Sequence, residues 1–436
     1  MRNPDTTAEA AFQSDVRRNL RRNYLAHLGH GLLGQTGMRL INAPTFVPVY
    51  IASLAGFDAA VGLARGLQYF GMFLSPVFGA TVIEHRRRVL PVGLWVGVMM
   101  RVQILGLALG GLLLPEPWPL VSAWLFLGLF GVFLGIQGVV FNFLVAKVIP
   151  VERRGVLMGL RNFLAGLTAT AVALFAGRTL IQPGALGNGY SATFLLAFVL
   201  TSLGLLSLLF VREPASPQVR SPSRVGRRLR ELPALLRSDP GFTRYFIARA
   251  LAVSGRMGVP YYVLYAGTQI ELTGSRLGEL TAAFLLAQSA GNLFWGLAAD
   301  RRGFRAIFIA SLVLWISAVL LLMGSNEFTS FVFVFGGLGA GLGGFQMSTQ
   351  NLVLEFGSRH NLPMRIAVAN SVSELVAAIC MGLGGVLAGA WSYRAVFWIA
   401  IGFQVVALAV MTFLVDEPRR RRNARAGSPH KVRWEG

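Results

Sequence analysis

The residues of this sequence best able to do chemistry are ionisable side chains inside long apolar runs. Six arginines interrupt these runs, and Glu374 is the one acid that lies clearly inside one. A guanidinium presents a planar fork of donors that can hold a carboxylate or phosphate through two hydrogen bonds. A buried carboxyl can pair with such a cation or carry a proton. The pattern therefore indicates binding or movement of charge. The six are Arg39, Arg65, Arg101, Arg161, Arg249 and Arg256.

No motif of an enzyme or of a cofactor site accompanies these charges. The sequence contains no Walker lysine motif and no Cys/His spacing suited to a metal, and it has a single cysteine. The G-x-G-x-x-G match at 339–344 lies inside an apolar run without a preceding strand, so it indicates close helix packing rather than a nucleotide site. We therefore expect no catalytic activity, no cofactor and no bound metal.

The composition predicts that these charges lie within a membrane protein. Hydrophobic residues make up 54% of the 436 residues and charged residues 14%, against roughly 25% charged in soluble domains. A bilayer core needs about 20 apolar residues per helix. Twelve segments meet that length, so the predicted fold class is an all-α membrane protein with twelve transmembrane helices. Spans 1–12 are predicted at 24–52, 58–83, 89–114, 119–146, 155–179, 190–211, 242–268, 277–299, 304–324, 328–355, 364–390 and 393–415.

The distribution of basic residues predicts which way the chain lies in the membrane. Of the 40 Lys and Arg residues, 31 lie in the two tails, in the connections after even-numbered spans or at the adjoining span ends, and three lie in the connections on the other side. Cytoplasmic connections carry such an excess. We therefore expect an integral multi-pass protein of the cell (inner or plasma) membrane with both termini cytoplasmic. The net charge of +21 then reflects topology and contact with anionic lipid rather than binding of nucleic acid.

Landmarks recur at nearly constant offsets between two halves of the chain. Gly79 and Gly296 end spans 2 and 8 and are 217 residues apart, and Pro150 and Pro363 follow spans 4 and 10 and are 213 apart. The ends of spans 6 and 12 read V-R-E-P and V-D-E-P. Spans 7–12 therefore repeat spans 1–6, an architecture of transporters that bind their substrate between the halves. The predicted divisions are a cytoplasmic N-tail at 1–23, an N-terminal six-helix bundle at 24–211, a cytoplasmic central linker at 212–241, a C-terminal six-helix bundle at 242–415 and a basic cytoplasmic C-tail at 416–436.

The connection after span 8 carries the most specific motif. Residues 296–305 read G-L-A-A-D-R-R-G-F-R and resemble the G-x-x-x-D-R-x-G-x-R loop of the major facilitator superfamily. The resemblance implies two six-helix bundles related by a pseudo-twofold axis, which work by alternating access. It also implies a cytoplasmic latch in which Gly296 permits close helix approach, while Asp300, Arg301 and Arg305 form a charge cluster.

The first-half copy of this loop departs from the pattern. Gly79 keeps its place, but Ile83 stands where the acid is expected, and Glu84 follows one position later. The latch of this half therefore either uses Glu84 in a shifted geometry or is lost.

Two of the internal arginines are related by the repeat. Arg39 in span 1 and Arg256 in span 7 are 217 residues apart, the offset of the glycine pair, and each lies near the middle of its span. The family resemblance places spans 1 and 7 on opposite sides of a central cavity, and organophosphate–phosphate antiporters place one arginine on each. We therefore predict that this pair binds a phosphate or carboxylate, the alternative being that each arginine snorkels or bonds to a helix carbonyl. Pro44, Pro48 and Pro260 follow them and predict kinks.

Two further pairs share the 213 offset. Arg161 in span 5 and Glu374 in span 11 are opposite in charge. They are predicted to gate the cavity or to couple a proton, the alternative being a static salt bridge between the halves. Gln137 and Gln350, in spans 4 and 10, are predicted either to contact the substrate or to form hydrogen bonds between helices.

Together these features predict a monomeric secondary-active transporter of a small anionic solute, with or without a co-transported proton. The rival hypothesis is a non-transporting protein of the same fold, either an assembly factor or a lipid-binding scaffold for a membrane complex. In that case the internal charges would be dispensable, and the exposed helix faces would matter.

Overall fold

The predicted spans are all present as helices in a computed structural model, which describes residues 4–182, 188–217, 237, 239–356 and 362–417. Regular structure in these ranges is entirely helical. A short helix, Pro4–Arg18, precedes span 1, which begins at Leu20, a few residues before its predicted start. Most of the predicted central linker, nearly all of the predicted C-tail and the loop at 357–361 lie outside the described residues.

Ten spans are helices long and apolar enough to cross a bilayer within the described ranges. Spans 2–6 are Ala59–Ile83, Leu90–Leu113, Trp118–Val148, Val151–Leu180 and Tyr190–Phe210. Spans 8–12 are Gly274–Arg302, Phe304–Gly324, Phe328–Glu355, Leu362–Ala390 and Tyr393–Leu414. With the two broken spans 1 and 7 they make up the predicted twelve.

Spans 1 and 7 are broken at the prolines that predicted kinks. Span 1 comprises Leu20–Gly29, the π turn His30–Gly34, Gln35–Asn42 and Phe46–Ala55. Span 7 comprises Pro240–Ser254, the 3-10 turn Gly255–Gly258 and Tyr261–Gln269. Pro44 and Pro260 lie at the breaks because a proline nitrogen cannot donate to the helix ladder. Pro48 lies in the first turn after the break, where that missing donor costs little.

The break in span 1 is stabilised by a buried arginine of span 2. Arg65 donates to the carbonyl oxygens of Ile41 at 3.2 Å and Ala43 at 2.9 Å, at the end of the first part of span 1. It also donates to the Gln68 side chain at 2.7 Å. A helix end inside a bilayer needs such partners because no lipid group can supply them. Arg65 therefore has a structural role.

The two halves pack together through spans 2 and 11 and through spans 5 and 8. Glycines allow this contact: a Cβ atom on Gly62 would lie 2.5 Å from the carbonyl oxygen of Met381, and one on Gly177 would lie 2.6 Å from the Cα of Gly278. Close backbone approach of this kind drives helix association in lipid, where the hydrophobic effect contributes little. Both contacts lie far from the basic connections.

Candidate substrate cavity

A cavity of about 1390 Å³ lies between the two halves. Spans 1, 2, 4 and 5 line it from the first half, and spans 7, 8, 10 and 11 line it from the second. It therefore occupies the interface where transporters built from such repeats bind their substrates. The sequence-predicted residues on its wall are Arg39, Arg256, Gln350, Glu374, Gly296 and Asp300.

The cavity extends to the end of the molecule that carries the connections after the even-numbered spans, which we call the basic end. Its lining there includes Gly155 and Val156 at the start of span 5, Asp300 at the end of span 8 and Asn351 near the end of span 10. Gly155, Val156 and Asp300 are exposed. A solute can therefore enter from the basic end.

The opposite end is closed by hydrogen bonds between the halves. Thr281 of span 8 donates to Thr45 of span 1, with 2.8 Å between the hydroxyl oxygens. The Tyr393 hydroxyl donates to the Asp58 carboxylate at 2.6 Å, and Tyr261 donates to the Asp58 carbonyl oxygen at 3.3 Å. The two tyrosine rings stack with centroids 5.8 Å apart. With the glycine contacts, these bonds separate the cavity from the opposite side.

Arg256 presents its guanidinium to the cavity with its donors unused. It lies in the 3-10 turn of span 7, and no hydrogen bond joins it to any described residue. Its Cζ atom is 5.8 Å from the centroid of the Tyr69 ring and 6.0 Å from that of Phe345. The aromatic rings fix the position of the cation without using its N–H groups. Arg256 is therefore free to bind an anion.

Arg39 faces the same cavity but is engaged across it. Its Nη1 donates to the Ser289 hydroxyl of span 8 at 2.7 Å, and its Nη2 donates to the Asn162 carbonyl oxygen of span 5 at 3.2 Å. The first of these bonds joins the two halves. The two arginines that the repeat makes equivalent therefore have different surroundings.

Glu374 is the acid nearest to these cations on the cavity wall. Its strongest electrostatic partners are Arg256 and then Arg249. Arg249 is buried in span 7 and donates to the Asn370 side chain at 2.9 Å. One carboxylate oxygen of Glu374 is buried without a hydrogen-bond partner among the described residues. Spans 7 and 11 thus hold a partly compensated charge cluster beside the cavity.

Arg161 and Gln137 do not line the cavity. Arg161 is only 3% exposed and points into the first bundle, where its Cζ atom lies 4.1 Å from the centroid of the Phe141 ring. The predicted ion pair between Arg161 and Glu374 is not formed in this conformation. Gln137 is half-buried in span 4, and its side-chain oxygen has no hydrogen-bond partner among the described residues.

The residues predicted to form the second-half latch make no ion pair with one another in the described part of the chain. Asp300 is exposed at the mouth of the cavity, and a Cβ atom on Gly296 would meet nothing within 4 Å. Arg301 is exposed as well. Arg305 instead donates to the carbonyl oxygens of Met411 and Thr412 in the last turn of span 12. The close helix approach predicted at Gly296 is absent here, as an open basic end requires.

In the first half, the acid that holds the connection between spans 2 and 3 is Glu213. Its carboxylate accepts from the backbone N–H groups of Val89 and Leu90, which begin span 3, and forms a 2.6 Å ion pair with Lys147. Glu84 lies half-exposed at the end of span 2. Gly79 packs against Ile136 of span 4. Glu213 belongs to the E-P dipeptide that recurs at the ends of spans 6 and 12, and this recurrence is the feature of the sequence that could have identified it.

A polar stripe along span 8 is a feature of the site that was not predicted from the sequence. Gln288, Asn292, Gly296 and Asp300 follow one another at a spacing of four, and all line the cavity. Residues four apart lie on one face of a helix. Amides that recur at this spacing inside an apolar run were therefore a usable signal for a cavity-facing helix.

Comparison with known sequences agrees with this architecture. Residues 245–434 match the sequence profile of the Major Facilitator Superfamily. The quinolone resistance protein NorA of Staphylococcus aureus is 26% identical over 181 residues, which are 41% of this chain and 46% of NorA. The chain thus spans about half the length of the curated relatives that it matches.

Solved structures extend the likeness to nearly the whole chain. The D-xylose–proton symporter superposes with a TM-score of 0.69 at 14% identity, over 91% of this chain and 98% of its own. The nucleoside transporter NupG gives 0.66 at 11% identity, over 90% and 98%. A POT family transporter in complex with a thioalcohol-conjugated peptide gives 0.65 at 13% identity, over 91% and 96%. At these identities the likeness concerns the fold.

Twelve helices in two halves around a central cavity define the transporter class of membrane proteins to which these structures belong. Residues 245–434 of this chain are similar in sequence to the Major Facilitator Superfamily, and nearly the whole chain shares the fold of these transporters. The solved structures that share this fold are transporters rather than enzymes, which is the class that the sequence predicts.

Proposed function

We propose that this chain is a secondary-active transporter that moves a small anionic solute across the cell membrane by alternating access. The observation that carries the proposal is the cavity between the halves, which is open at one end, closed at the other and lined by the unbonded guanidinium of Arg256. Its volume of about 1390 Å³ exceeds the roughly 300–1,000 Å³ of pockets that enclose small organic ligands, so it can hold such a solute together with water.

The preference for an anion follows from how the internal arginines are satisfied. Arg65 and Arg101 lie outside the cavity and donate to main-chain carbonyl oxygens. Arg39 and Arg256 lie on the wall, where Glu374 is the one acid in the inner part of the described lining. Cations that face a low-dielectric cavity attract an anionic ligand more strongly than they would in water.

The closed and open ends support alternating access. By the positive-inside rule we propose that the basic end, with both termini and the cavity mouth, faces the cytoplasm. The opposite end is held by a few hydrogen bonds, among them Tyr393 to Asp58, and by glycine contacts that separate without unfolding a helix. In the alternative state these contacts part, and Asp300 and Gly296 approach the first half.

Glu374 is the group we propose for proton coupling. It lies on the wall beside Arg256, so its protonation would change the charge that a bound solute meets. Arg161 belongs to the same proposal only if it leaves the first bundle during the cycle.

The decisive experiment is uptake by the full-length protein in liposomes, with and without a pH gradient. The panel comprises acetate, benzoate, 2-naphthoate, inorganic phosphate and a quinolone. The variants are Arg256→Gln and Arg39→Gln, with Arg18→Gln, an exposed arginine of the short helix before span 1, as the matched control. We expect Arg256→Gln to weaken binding and uptake of the transported anion by about thirtyfold or more, since leaving a buried charge unpaired costs about 2–5 kcal/mol. Arg18→Gln should behave as the wild type does.

Two results would count against the proposal. Unchanged transport of every active solute by Arg256→Gln would remove the anion site. Absence of uptake and of thermal stabilisation across the panel would favour the non-transporting scaffold.

A second candidate function is export of a quinolone-type drug, favoured by the match to NorA. Span 5 has no proline between Leu160 and Phe175, whereas drug–proton antiporters resembling this family carry a Gly-Pro motif there. The quinolone in the panel tests this candidate directly, because export from loaded liposomes would be observed with that compound and not with phosphate.

A further inference from the structure

We propose that the cavity selects an amphiphilic organic anion with a single charged group, such as an aromatic monocarboxylate, and that this group binds Arg256. The inference rests on the proposed transport function and names its substrate class. It departs from the symmetric pair of anion-binding arginines that the repeat predicts.

The free guanidinium of Arg256 can bind one anionic group of a ligand. Both terminal nitrogens of Arg39 already donate, to Ser289 and to the Asn162 carbonyl oxygen. Arg256 alone of the two has an unused fork of donors, which matches one carboxylate in a bidentate arrangement. A dianion would need a second set of donors or would place its other charge near Glu374.

Glu374 makes a second negative charge unfavourable. It lies on the same wall, and its strongest electrostatic partner is Arg256. A ligand carboxylate on Arg256 is therefore already close to one fixed negative charge. Like charges in a buried site cost several kcal/mol, which is how binding sites reject the wrong ligand.

The surroundings of Arg256 suit an apolar or aromatic body. The ring of Tyr69 on the cavity wall and that of Phe345, which is buried behind it, flank the guanidinium. Four methionines from both halves line the cavity, and unbranched thioethers adapt to apolar ligands of different shapes. They are Met38, Met72, Met347 and Met381. Phe163 and Phe284 add further apolar surface. A small hydrated ion such as phosphate would leave this surface unused.

The test compares four ligands that separate charge from ring. They are 2-naphthoate, 2,6-naphthalenedicarboxylate with a second charge, 2-naphthalenemethanol with no charge, and acetate with no ring. Binding is measured by thermal stabilisation and by titration calorimetry on the full-length protein in detergent. In the wild type we expect 2-naphthoate to bind at least about tenfold more tightly than each of the other three, the lower end of the coupling found for close charge pairs.

Glu374→Gln then reports on the second charge. We expect the ratio of dicarboxylate to monocarboxylate affinity to rise about tenfold, because one fixed negative charge is removed. Glu271→Gln, an exposed acid at the opposite end, should leave the ratio unchanged. If Glu374→Gln does not fold, the ranking of the four ligands in the wild type remains a complete test.

The outcomes separate this inference from the proposed function. Tighter binding of the dicarboxylate or of acetate than of 2-naphthoate in the wild type, lost in Arg256→Gln, would overturn the inference of a singly charged amphiphile and leave anion transport standing. Equal binding of 2-naphthalenemethanol and 2-naphthoate would overturn both. No binding by any ligand would also overturn both and favour the scaffold.

Discussion

Spans 1 and 5 of the first half and spans 7 and 11 of the second are equivalent pairs in the repeat, yet they hold opposite arrangements of charge. In the second half, Glu374 faces the cavity beside Arg256 and Arg249. In the first half, the equivalent of Glu374 is Arg161, which lies inside the bundle next to His27 and His30 of span 1. No acid pairs with Arg161 among the described residues.

The first-half cluster is also poorly bonded. The Nε atom of Arg161 and all four ring nitrogens of His27 and His30 are buried without hydrogen-bond partners in the described part of the chain. Arg161 packs on the Phe141 ring and donates to the Met158 sulfur at 3.4 Å. A buried cation without an acid destabilises the bundle that contains it. Each half thus places one arginine on the cavity wall and keeps another buried, but only the second half has an acid, Glu374, beside them.

A glycine of span 1 makes room for the Arg161 side chain to point into the first bundle, whereas Glu374 faces the cavity. The side chain of Arg161 runs over Gly31 of span 1, within the space that a Cβ atom would fill. The equivalent of Gly31 in span 7, at the 217 offset, is Ala248, which is fully buried. We predict that the missing methyl group at Gly31 is what allows the side chain of the neighbouring span to point inward in the first half.

Gly31→Ala is the change that should disturb the comparison most. The added methyl group would collide with Arg161 and force it out of the bundle, at a cost of about 1–3 kcal/mol for an overpacked site. We expect a lower Tm in detergent. Combining Gly31→Ala with Arg161→Ala should recover most of the loss, because contacting residues are not additive.

Gly138→Ala is the matched control for this substitution. Gly138 is an exposed glycine of span 4 where a Cβ atom would meet nothing within 4 Å. It should leave the Tm unchanged or raise it slightly. Equal loss of stability in Gly31→Ala with and without Arg161 would show that the glycine serves another purpose.

The sequence was sufficient for the fold because the apolar runs, the basic connections and the repeat are one-dimensional signals. The prolines also located the breaks in spans 1 and 7. The site was only partly predictable, because an offset gives the depth of a residue but not the direction of its side chain. Two features could not be predicted in this way: Arg161 points inward over Gly31, and Arg39 donates to Ser289 of the other half. Such contacts between distant segments have no signal in either half alone.

Arg161→Met tests whether the buried charge of the first half has a part in transport. Methionine is similar in length and removes the uncompensated charge. We therefore expect the free energy of unfolding to be unchanged or raised by about 1 kcal/mol, which would be measured as an equal or higher Tm. Uptake of the transported anion should be retained. Leu167→Met, on the lipid-facing side of the same span, controls for the new side chain. Loss of uptake with unchanged Tm would instead show that Arg161 leaves the bundle during the cycle and acts with Glu374.

The smallest effect concerns a charge pair at the basic end that only the second half forms. Asp239 begins span 7 and makes a 2.6 Å ion pair with Arg365 of span 11. The repeat offsets of 217 and 213 residues make Arg22 equivalent to Asp239 and Glu152 equivalent to Arg365, so the first half holds the reverse charges. Arg22 and Glu152 do not pair, and Arg22 donates to the Phe210 carbonyl oxygen instead. We expect Asp239→Asn to lower stability at pH 7 by about 0.5–1 kcal/mol, since the pair is partly exposed, and Glu152→Gln to have no effect.

The pH dependence of the Asp239 pair gives an independent check. Burial alone would raise the pKa of Asp239, but hydrogen bonds from the Phe242 N–H and from Arg365, together with the Arg365 charge, hold that pKa below its ordinary 3.8. A carboxyl with a depressed pKa in the folded state stabilises the protein above its unfolded value, and this contribution is lost as the pH falls through the folded value. The Tm gap between the wild type and Asp239→Asn should therefore be constant above pH 5 or so and narrow below pH 3.8. A gap that persists undiminished in acid would show that the variant acts through the helix cap at Phe242 rather than through the charge.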